Sequence, residues 1–179
     1  KMGFTYSRIA NPTVAVLEKR VALLENGIDA AAFASGTAAV VGSILNITES
    51  GDEILSAKNL YGGTYTLLNN SLKQYGIKTT FFDGQNLEEL KALINPKIKL
   101  VYLESIGNPN ADIVPLKEIA VIAHSHNIPV IVDNTFGSPY LFKAFDFGAD
   151  IVVHSATKFL GGHGTTLGGV VVDSGNFNF

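Results

Sequence analysis

With 179 residues the chain can bury one ordinary hydrophobic core, and its formal net charge of -3 without a run of like charges argues against nucleic acid or an anionic membrane as a partner. The absence of cysteine excludes disulfides and thiolate zinc sites, and no apolar run is long enough to span a membrane or has the pattern of a signal peptide. We therefore expect a soluble, cytoplasmic protein whose partners are small molecules and other protein chains.

The first 25 residues are expected to lie outside the main domain. The stretch up to about Pro12 is polar and irregular. The run “TVAVLEKRVALLE” that follows places apolar residues at helical spacing, namely Val14, Leu17, Val21 and Leu24. We therefore predict an N-terminal arm and helix over residues 1–25 and a larger domain over residues 26–179.

From residue 26 onward, short apolar and β-branched runs alternate with helix-like stretches. The predicted strands cover residues 31–35, 53–57, 78–82, 99–104, 128–133, 149–154 and 168–173. The predicted helices cover residues 36–48, 63–74, 86–94, 115–126 and 139–147. Ser35 and Asn86 stand at N-cap positions, and Pro115 stands at a helix start. This alternation predicts an α/β fold with a mainly parallel seven-stranded sheet and helices on both faces.

Polar residues and glycines follow five of the predicted strands, near the point where each apolar run ends. Ligands of open α/β sheets bind beyond the carboxyl ends of the strands, so these residues are candidates for a single site. They are Ser35, Gly36, Tyr61, Gly62, Gly63, Glu104, Asn108, Asp133, Asn134, His154, Ser155, Thr157 and Lys158. Several also have a structural interpretation, such as an N-cap for Ser35, a turn for Gly62 and Gly63, or a cap or salt bridge for Asp133.

The four histidines do not predict a metal site. His124 and His126 fall at the end of a predicted helix, where histidine is favourable without a metal. His154 and His163 lie nearer the candidate site, but neither has a carboxylate at the spacing of a metal ligand. We therefore expect no metal.

Lys158, in “HSATK”, lies between two apolar runs, and three interpretations of it are open. It is a surface lysine of a loop, or the base of an S-x-x-K acyl-transfer signature with Ser155 as nucleophile, or the amine that forms a Schiff base with a carbonyl. The second interpretation lacks the partner motifs S-D-N and K-T-G. The third is favoured by the residues around the lysine.

An aldehyde cofactor fits that third interpretation. Pyridoxal 5'-phosphate (PLP) needs an amine for its aldehyde, an acid that keeps its ring nitrogen protonated, donors for its phosphate and an aromatic face for its ring. The sequence offers Lys158 as the amine and Asp133 as the acid. It offers Ser155 and Thr157, with the “SGT” helix start, as donors for the phosphate, and Tyr61 as the aromatic face. We therefore expect PLP as the cofactor, with Asp133 making its ring an electron sink.

Six motifs resemble, in order and spacing, those of the PLP-dependent enzymes of cysteine and methionine metabolism. They are “YSRIANPT”, “ASGTAA”, “LYGGTY”, “ESIGNP”, “IVDNTF” and “HSATKFLGGHG”, and they run through nearly the whole chain. The resemblance implies the fold of the large domain of aspartate-aminotransferase-type (fold type I) PLP enzymes. It also implies dimers that share active sites and pair into tetramers.

Carried over by motif, the resemblance implies roles for individual residues. Lys158 would bind the cofactor and shuttle protons, Asp133 would pair with the ring nitrogen, and Tyr61 would stack on the ring and help to move protons. Asn108 would reach the ring hydroxyl. In one subunit, the phosphate would be bound by Gly36, Thr37, Ser155 and Thr157. The arm of the neighbouring subunit would add Tyr6 and Arg8.

Within this family, “ESIGNP” and “GGHGTTLGGVVVDSG” are most similar to O-acetylhomoserine sulfhydrylases. The implied reaction is γ-replacement, in which sulfide or methanethiol displaces acetate from O-acetyl-L-homoserine to give homocysteine or methionine. Methionine γ-lyase, cystathionine γ-lyase and cystathionine γ-synthase remain alternatives, and the absence of cysteine counts modestly against the first of them.

The chain departs from the family pattern in its length and its arginines. Family members are longer, and a smaller C-terminal domain supplies an arginine for the substrate carboxylate. Here the only arginines are Arg8 and Arg20. We expect a fragment of a complete enzyme; the alternative is an inactive module that at most binds the cofactor.

Overall fold

The computed structural model describes residues 3–179 and is built around a seven-stranded sheet. The strands are β1 (Asp29–Phe33), β2 (Glu53–Ala57), β3 (Lys78–Phe82), β4 (Ile98–Glu104), β5 (Val130–Asp133), β6 (Ile151–Ser155) and β7 (Gly169–Asp173). Their order is β1-β7-β6-β5-β4-β2-β3. Neighbours among β2 to β6 are parallel, whereas β7 is antiparallel to β1 and β6. The predicted fold class is confirmed, and six strands end at the same edge of the sheet.

Helices connect most of the strands. They are α1 (Pro12–Glu25), α2 (Gly36–Leu45), α3 (Gly62–Thr66), α4 (Leu72–Gln74), α5 (Leu87–Leu93), α6 (Leu116–Ser125) and α7 (Ser138–Leu141). A π turn at Leu67–Ser71 joins α3 to α4, so the helix predicted over residues 63–74 forms as one helical segment, and a 3-10 turn covers Ala144–Phe147. No helix within residues 3–179 is both long and apolar enough to cross a membrane.

Strand side chains alternate between the two faces of the sheet, so two apolar clusters form. On β4, Val101 packs in one cluster with residues of α5 and α6. Its neighbour Leu100 packs in the other cluster with residues of α2, the π turn and α4. Both side chains are 0% exposed. Helices therefore cover both faces, as predicted, and leave the carboxyl edge of the parallel strands open to a ligand.

The first strand begins and ends two residues earlier than predicted. The sequence predicted residues 31–35, but β1 ends at Phe33, which pairs with Gly169 of β7. Ser35 is instead the N-cap of α2, as its side chain had indicated. Its Oγ accepts a hydrogen bond from Ala38 N at 3.1 Å. The prediction of a strand at Ser35 was wrong because capping takes this residue out of the sheet.

The helix predicted over residues 139–147 is broken. Phe142 has an extended backbone (φ -142°, ψ 123°) between α7 and the 3-10 turn. The side-chain Nδ2 of Asn134 donates a hydrogen bond to the carbonyl oxygen of Phe142 at 2.8 Å. This bond holds the carbonyl in a direction that a continuous helix does not allow, so a side chain outside the segment ends α7.

α1 packs on the sheet by its C-terminal part. Asn11 caps its start, with Oδ1 accepting from Thr13 N at 2.9 Å, and Asn26 ends it in the left-handed conformation (φ 63°). The buried residues are Val21, Ala22 and Glu25. Three of the apolar positions predicted at helical spacing remain at least 40% exposed, namely Val14, Leu17 and Leu24. α1 therefore keeps an uncovered apolar side.

Candidate functional site

A cavity of about 340 Å³ opens at the carboxyl edge of the parallel strands. It is bounded by the ends of β4, β5 and β6, the starts of α2 and α3, and the loop that follows β6. Of the residues to which the family resemblance assigns a role, all except Tyr6 and Arg8 line it, namely Gly36, Thr37, Tyr61, Asn108, Asp133, Ser155, Thr157 and Lys158. The topology thus brings together residues that are separated by more than a hundred positions in the sequence.

The N-terminus of α2 forms one end of the cavity. Ser35 Oγ accepts from Ala38 N, whereas the N–H groups of Gly36 and Thr37 have no acceptor within residues 3–179. Gly36 lies so close to β6 that a Cβ on it would be 2.6 Å from the Cβ of Ser155. Free N–H groups at a helix N-terminus attract anions. This end of the cavity is therefore suited to a phosphate.

Ser155 and Thr157 border the same end but differ in their hydrogen bonds. Ser155 N donates to Thr135 Oγ1 at 2.8 Å, while the hydroxyl of Ser155 forms no hydrogen bond within residues 3–179. Thr157 Oγ1 accepts from Gly168 N at 3.1 Å and lies 3.3 Å from Gly168 O. The Ser155 hydroxyl is thus available to a ligand, whereas the Thr157 hydroxyl holds the loop in place.

Lys158 lies in the loop that connects the antiparallel strands β6 and β7. Because β6 ends and β7 begins at the cavity, this loop leaves and re-enters the sheet at the same edge. Its base is closed by Thr157 and Gly168, and Gly162 N donates to Lys158 O at 2.8 Å. The amine of Lys158 forms no salt bridge within residues 3–179. It is therefore an unpaired amine on a well-fixed loop.

Asp133, at the end of β5, has two carboxylate oxygens in different surroundings. Oδ1 accepts hydrogen bonds from Thr135 N at 3.0 Å and Thr135 Oγ1 at 2.5 Å. Oδ2 is 3.4 Å from the hydroxyl of Tyr102, which is a long contact. Burial raises the pKa of Asp133, and the hydrogen bonds from Thr135 oppose this effect. Oδ2 is therefore the oxygen with room for a ligand's N–H group.

Glu104 fixes Tyr61 at the start of α3. Its Oε1 accepts a hydrogen bond from Tyr61 N at 2.7 Å. The ring of Tyr61 lies against Gly63, where an added Cβ would be 2.5 Å from Cε1 of that ring. The Tyr61 side chain nevertheless stays 55% exposed and lines the cavity. Its ring is thus held in place yet free to stack on a planar ligand.

The carboxyl group of Glu104 holds its proton to a higher pH than an ordinary glutamate. Burial raises the pKa of Glu104 to about 8, with a further contribution from the charge of Asp133, although backbone hydrogen bonds from Tyr61 and Asn108 lower it. Burial also raises the pKa of the neighbouring Tyr102. The two carboxyl groups thus differ, because hydrogen bonds from Thr135 favour the ionised form of Asp133 whereas the pKa of Glu104 is raised to about 8.

Tyr6 and Arg8 do not line the cavity of their own chain. They lie in an exposed turn before α1, where the N–H groups of Ile9 and Ala10 donate to Tyr6 O at 3.0 Å. The guanidinium of Arg8 is 5.2 Å from the centre of the Tyr6 ring. The role predicted for both residues at a neighbouring subunit's site stays a prediction.

Sequence reasoning missed some lining residues and included others that lie elsewhere. Thr135 could have been found, because an aspartate commonly bonds to the backbone two residues further on. Gly62, Gly63, Asn134 and His154 follow strands but do not line the cavity. The contact between Glu25 and His154 joins residues 129 positions apart, so no local pattern could reveal it.

The chain was compared with known proteins. It matches the family model “Cys/Met metabolism PLP-dependent enzyme” over residues 1–179. It is 50% identical to the homocysteine/cysteine synthase of Saccharomyces cerevisiae, with 98% of this chain and 40% of the relative covered. It is 46% identical to the O-acetyl-L-homoserine sulfhydrylase of Leptospira meyeri, at 100% and 40% coverage. It is 45% identical to an L-methionine gamma-lyase of Fusobacterium nucleatum, at 95% and 43%.

A solved structure has the same fold. The crystal structure of an O-acetylhomoserine (thiol)-lyase of Campylobacter jejuni, which contains N'-pyridoxyl-lysine-5'-monophosphate, has a TM-score of 0.95 and 38% identity, with 98% of this chain and 43% of that chain covered. The chain spans about 40% of the length of the curated relatives it matches. The cofactor expected from the sequence is the one in the family's description. The chain belongs to the family of Cys/Met metabolism PLP-dependent enzymes.

Proposed function

We propose that this chain, within a protein of the length of its relatives, binds PLP and catalyses γ-replacement on O-acetyl-L-homoserine. Sulfide or methanethiol takes the place of acetate, and the product is homocysteine or methionine. The observation that best supports this function is the convergence of Lys158, Asp133 and the free N–H groups of α2 on one cavity. The similarity to enzymes named for homocysteine synthesis supports the choice of reaction within the family.

The lining residues fit PLP by their chemistry. The unpaired amine of Lys158 suits the aldehyde of the cofactor, and Asp133 Oδ2 suits the protonated ring nitrogen. The N–H groups of Gly36 and Thr37, with the hydroxyl of Ser155, suit the phosphate. We propose that Thr157 contributes to phosphate binding chiefly by fixing the loop, since its hydroxyl already contacts Gly168.

Bound PLP supplies an electron sink that stabilises negative charge at substrate carbons. The protein supplies the proton transfers and the positioning. Lys158 Nζ takes protons from the substrate carbons and returns them, because it stands on a loop at the mouth of the cavity. Tyr61 stacks on the ring and assists these transfers, and Asn108 reaches the ring hydroxyl. Glu104, whose pKa burial raises to about 8, holds Tyr61 in place by accepting a hydrogen bond from its backbone N–H.

A second subunit belongs to the same proposal. Tyr6 and Arg8 lie on an exposed turn outside their own cavity, and the neighbouring helix α1 keeps an uncovered apolar side. We propose that this region packs on another copy of the chain, where Arg8 reaches the phosphate end of the partner's cavity. Assembly of such dimers into a tetramer and a cytoplasmic location complete the proposal.

A substrate panel with the purified protein, extended to the length of its relatives, tests the reaction. We expect homocysteine from O-acetyl-L-homoserine and sulfide, and no product from the matched Lys158→Ala protein. Formation of α-ketobutyrate from methionine, without homocysteine from the acetylated substrate, would reassign the activity to a methionine γ-lyase. Condensation that proceeds only with cysteine as the thiol would indicate a cystathionine γ-synthase.

A further inference from the structure

A carboxylate and an imidazole meet inside the protein, on the face of the sheet opposite the cavity. Glu25, the last residue of α1, and His154, in β6, are both 0% exposed, and Glu25 Oε1 contacts His154 Nε2. On β6, Val153 packs with α2 while Val152 packs in the other cluster. By strand alternation His154 lies on the side of Val152, and it does not line the cavity.

The surroundings of this pair offer Glu25 few other partners. Asn134 Nδ2 donates to Glu25 Oε1 at 3.2 Å, but Glu25 Oε2 and His154 Nδ1 have no hydrogen-bond partner within residues 3–179. A carboxylate buried without a cation is costly. His154 is the residue of this cluster that can carry a positive charge at direct contact with Glu25.

His154 is also close to the carboxylate that the cavity depends on. Asp133 pairs in register with Val153, the residue before His154. The charge of His154 lowers the pKa of Asp133 and so opposes the effect of burial. Tyr102 and Glu104, the titratable residues of β4 near Asp133, bring no positive charge. His154 is thus placed to keep Asp133 ionised from behind the sheet.

We propose that Glu25 and His154 are positioning residues for the cofactor: Glu25 keeps His154 positively charged, and His154 keeps Asp133 ionised to hold the proton of the ring nitrogen. This inference rests on the proposed binding of PLP. It also links the N-terminal region to the site, since the helix that follows Tyr6 and Arg8 ends at Glu25. A merely structural pair would stabilise the fold without affecting the ring nitrogen.

The test uses the holoenzyme reconstituted with PLP that is labelled with nitrogen-15 in the ring. His154→Gln removes the positive charge itself, and Glu25→Gln removes the carboxylate that keeps it on His154, each with little change in side-chain size. In both variants we expect the ring-nitrogen resonance to move toward that of unprotonated pyridine, and the affinity for PLP to fall about tenfold, which corresponds to about one pKa unit. The double variant is expected to move the resonance no further, because both changes remove the same charge.

His124→Gln is the matched control. His124 Nε2 pairs with Asp150 Oδ2 at 2.8 Å, but this pair does not line the cavity. We expect this variant to lower the Tm without moving the ring-nitrogen resonance. An unmoved resonance in both His154→Gln and Glu25→Gln would overturn the inference, and Glu25→Gln decides alone if His154→Gln does not fold.

The unmutated holoenzyme gives an independent measurement. We expect nitrogen-15 NMR of its histidines to find both ring nitrogens of His154 protonated at neutral pH, and a neutral His154 would overturn the inference without any variant. Failure of the unmutated protein to bind PLP is a different result, because it would overturn the proposed function itself.

Discussion

Asp133 and Glu104 end neighbouring strands, yet their carboxyl groups have different hydrogen-bond partners in the cavity. Burial raises the pKa of both. Asp133 is stabilised as an ion by two hydrogen bonds from Thr135, whereas Glu104 receives its hydrogen bond from Tyr61 N and reaches a pKa of about 8. Two carboxylates that share one site do not readily ionise together. At the scale of single residues, hydrogen bonds from Thr135 thus favour the ionised form of Asp133, while burial favours the protonated form of Glu104.

Glu104 gives the stability of the protein a pH dependence with a definite sign. The folded-state pKa of about 8 lies above the ordinary value of 4.5, so the folded chain keeps a proton that the unfolded chain releases. The stability that this proton provides is complete below about pH 4.5 and is lost as the pH rises through about 8. We expect the free energy of unfolding to fall over this range by at most on the order of 5 kcal/mol.

Urea unfolding of the PLP-free protein at a series of pH values measures this effect. Glu104→Gln keeps an acceptor for Tyr61 N but cannot titrate, so its stability is expected to vary much less with pH. Glu88→Gln is the control, since the Glu88 side chain is 82% exposed, and it should keep the dependence of the unmutated protein. A Glu104→Gln protein with the unmutated pH dependence would contradict the prediction.

At the scale of elements, the close approach of α2 to β6 shapes the phosphate end of the cavity. A Cβ on Gly36 would be 2.6 Å from Ser155 Cβ, so Gly36→Ala must push the helix start away from the strand. We expect a loss of about 1–3 kcal/mol in the free energy of unfolding and weaker PLP binding. Urea unfolding and a PLP titration measure the two effects.

Gly62→Ala is the matched control for this change. An added Cβ on Gly62 meets no atom within 4 Å, although this glycine also stands at a helix start beside the cavity. We expect its stability to stay unchanged or to rise by less than about 1 kcal/mol. Equal losses of stability in the two variants would show that crowding against Ser155 is not the cause.

The elements were predictable where local sequence decides them. β2 and β3 have the predicted bounds, because each is a short run of strand-forming residues between turn residues. The end of β1 was predicted wrongly because strand preference and capping compete at Ser35. The break in the helix predicted over residues 139–147 depends on a bond from Asn134, which no periodicity within the segment can reveal.

The candidate site was predictable to the extent that topology decides it. Parallel strands end at one edge, so residues after the strands, such as Asp133 and Lys158, could be grouped without coordinates. Residues on the opposite face of the sheet could not be assigned to one cluster by this argument. Glu25 and His154 meet only because α1 packs on the strands, and their burial is a property of the folded chain.

At the scale of the whole molecule, Lys158 lines the cavity of its own chain but Arg8 does not. With the role proposed for Arg8, this predicts active sites built from residues of two subunits. Arg8→Ala and Lys158→Ala proteins are each expected to lose most activity. When they are mixed, unfolded and reassembled, mixed dimers should contain one site with both native residues and recover up to about a quarter of the activity in a random mixture.

Activity in dimers that are verified to be mixed is the measurement for this prediction. Arg20→Ala serves as the control, because Arg20 is the other arginine and is exposed on α1. It should keep its activity alone and need no complementation. Verified mixed dimers without any recovered activity would place Arg8 and Lys158 in the same chain's site or outside the site altogether.

The loop that carries Lys158 begins and ends at the same edge of the sheet. This affects how far the lysine is displaced when a helix shifts. A helical crossover carries the chain across a whole face of the sheet, so a shift of its helix displaces the residues that follow. The β6–β7 loop is tethered at its base by Thr157 and Gly168 and contains no helix. A shift of the helical layer that contains α2 is therefore expected to displace the start of α2 more than the loop that carries Lys158. The position of Lys158 thus depends on the two strands that flank its loop rather than on the packing of a helix.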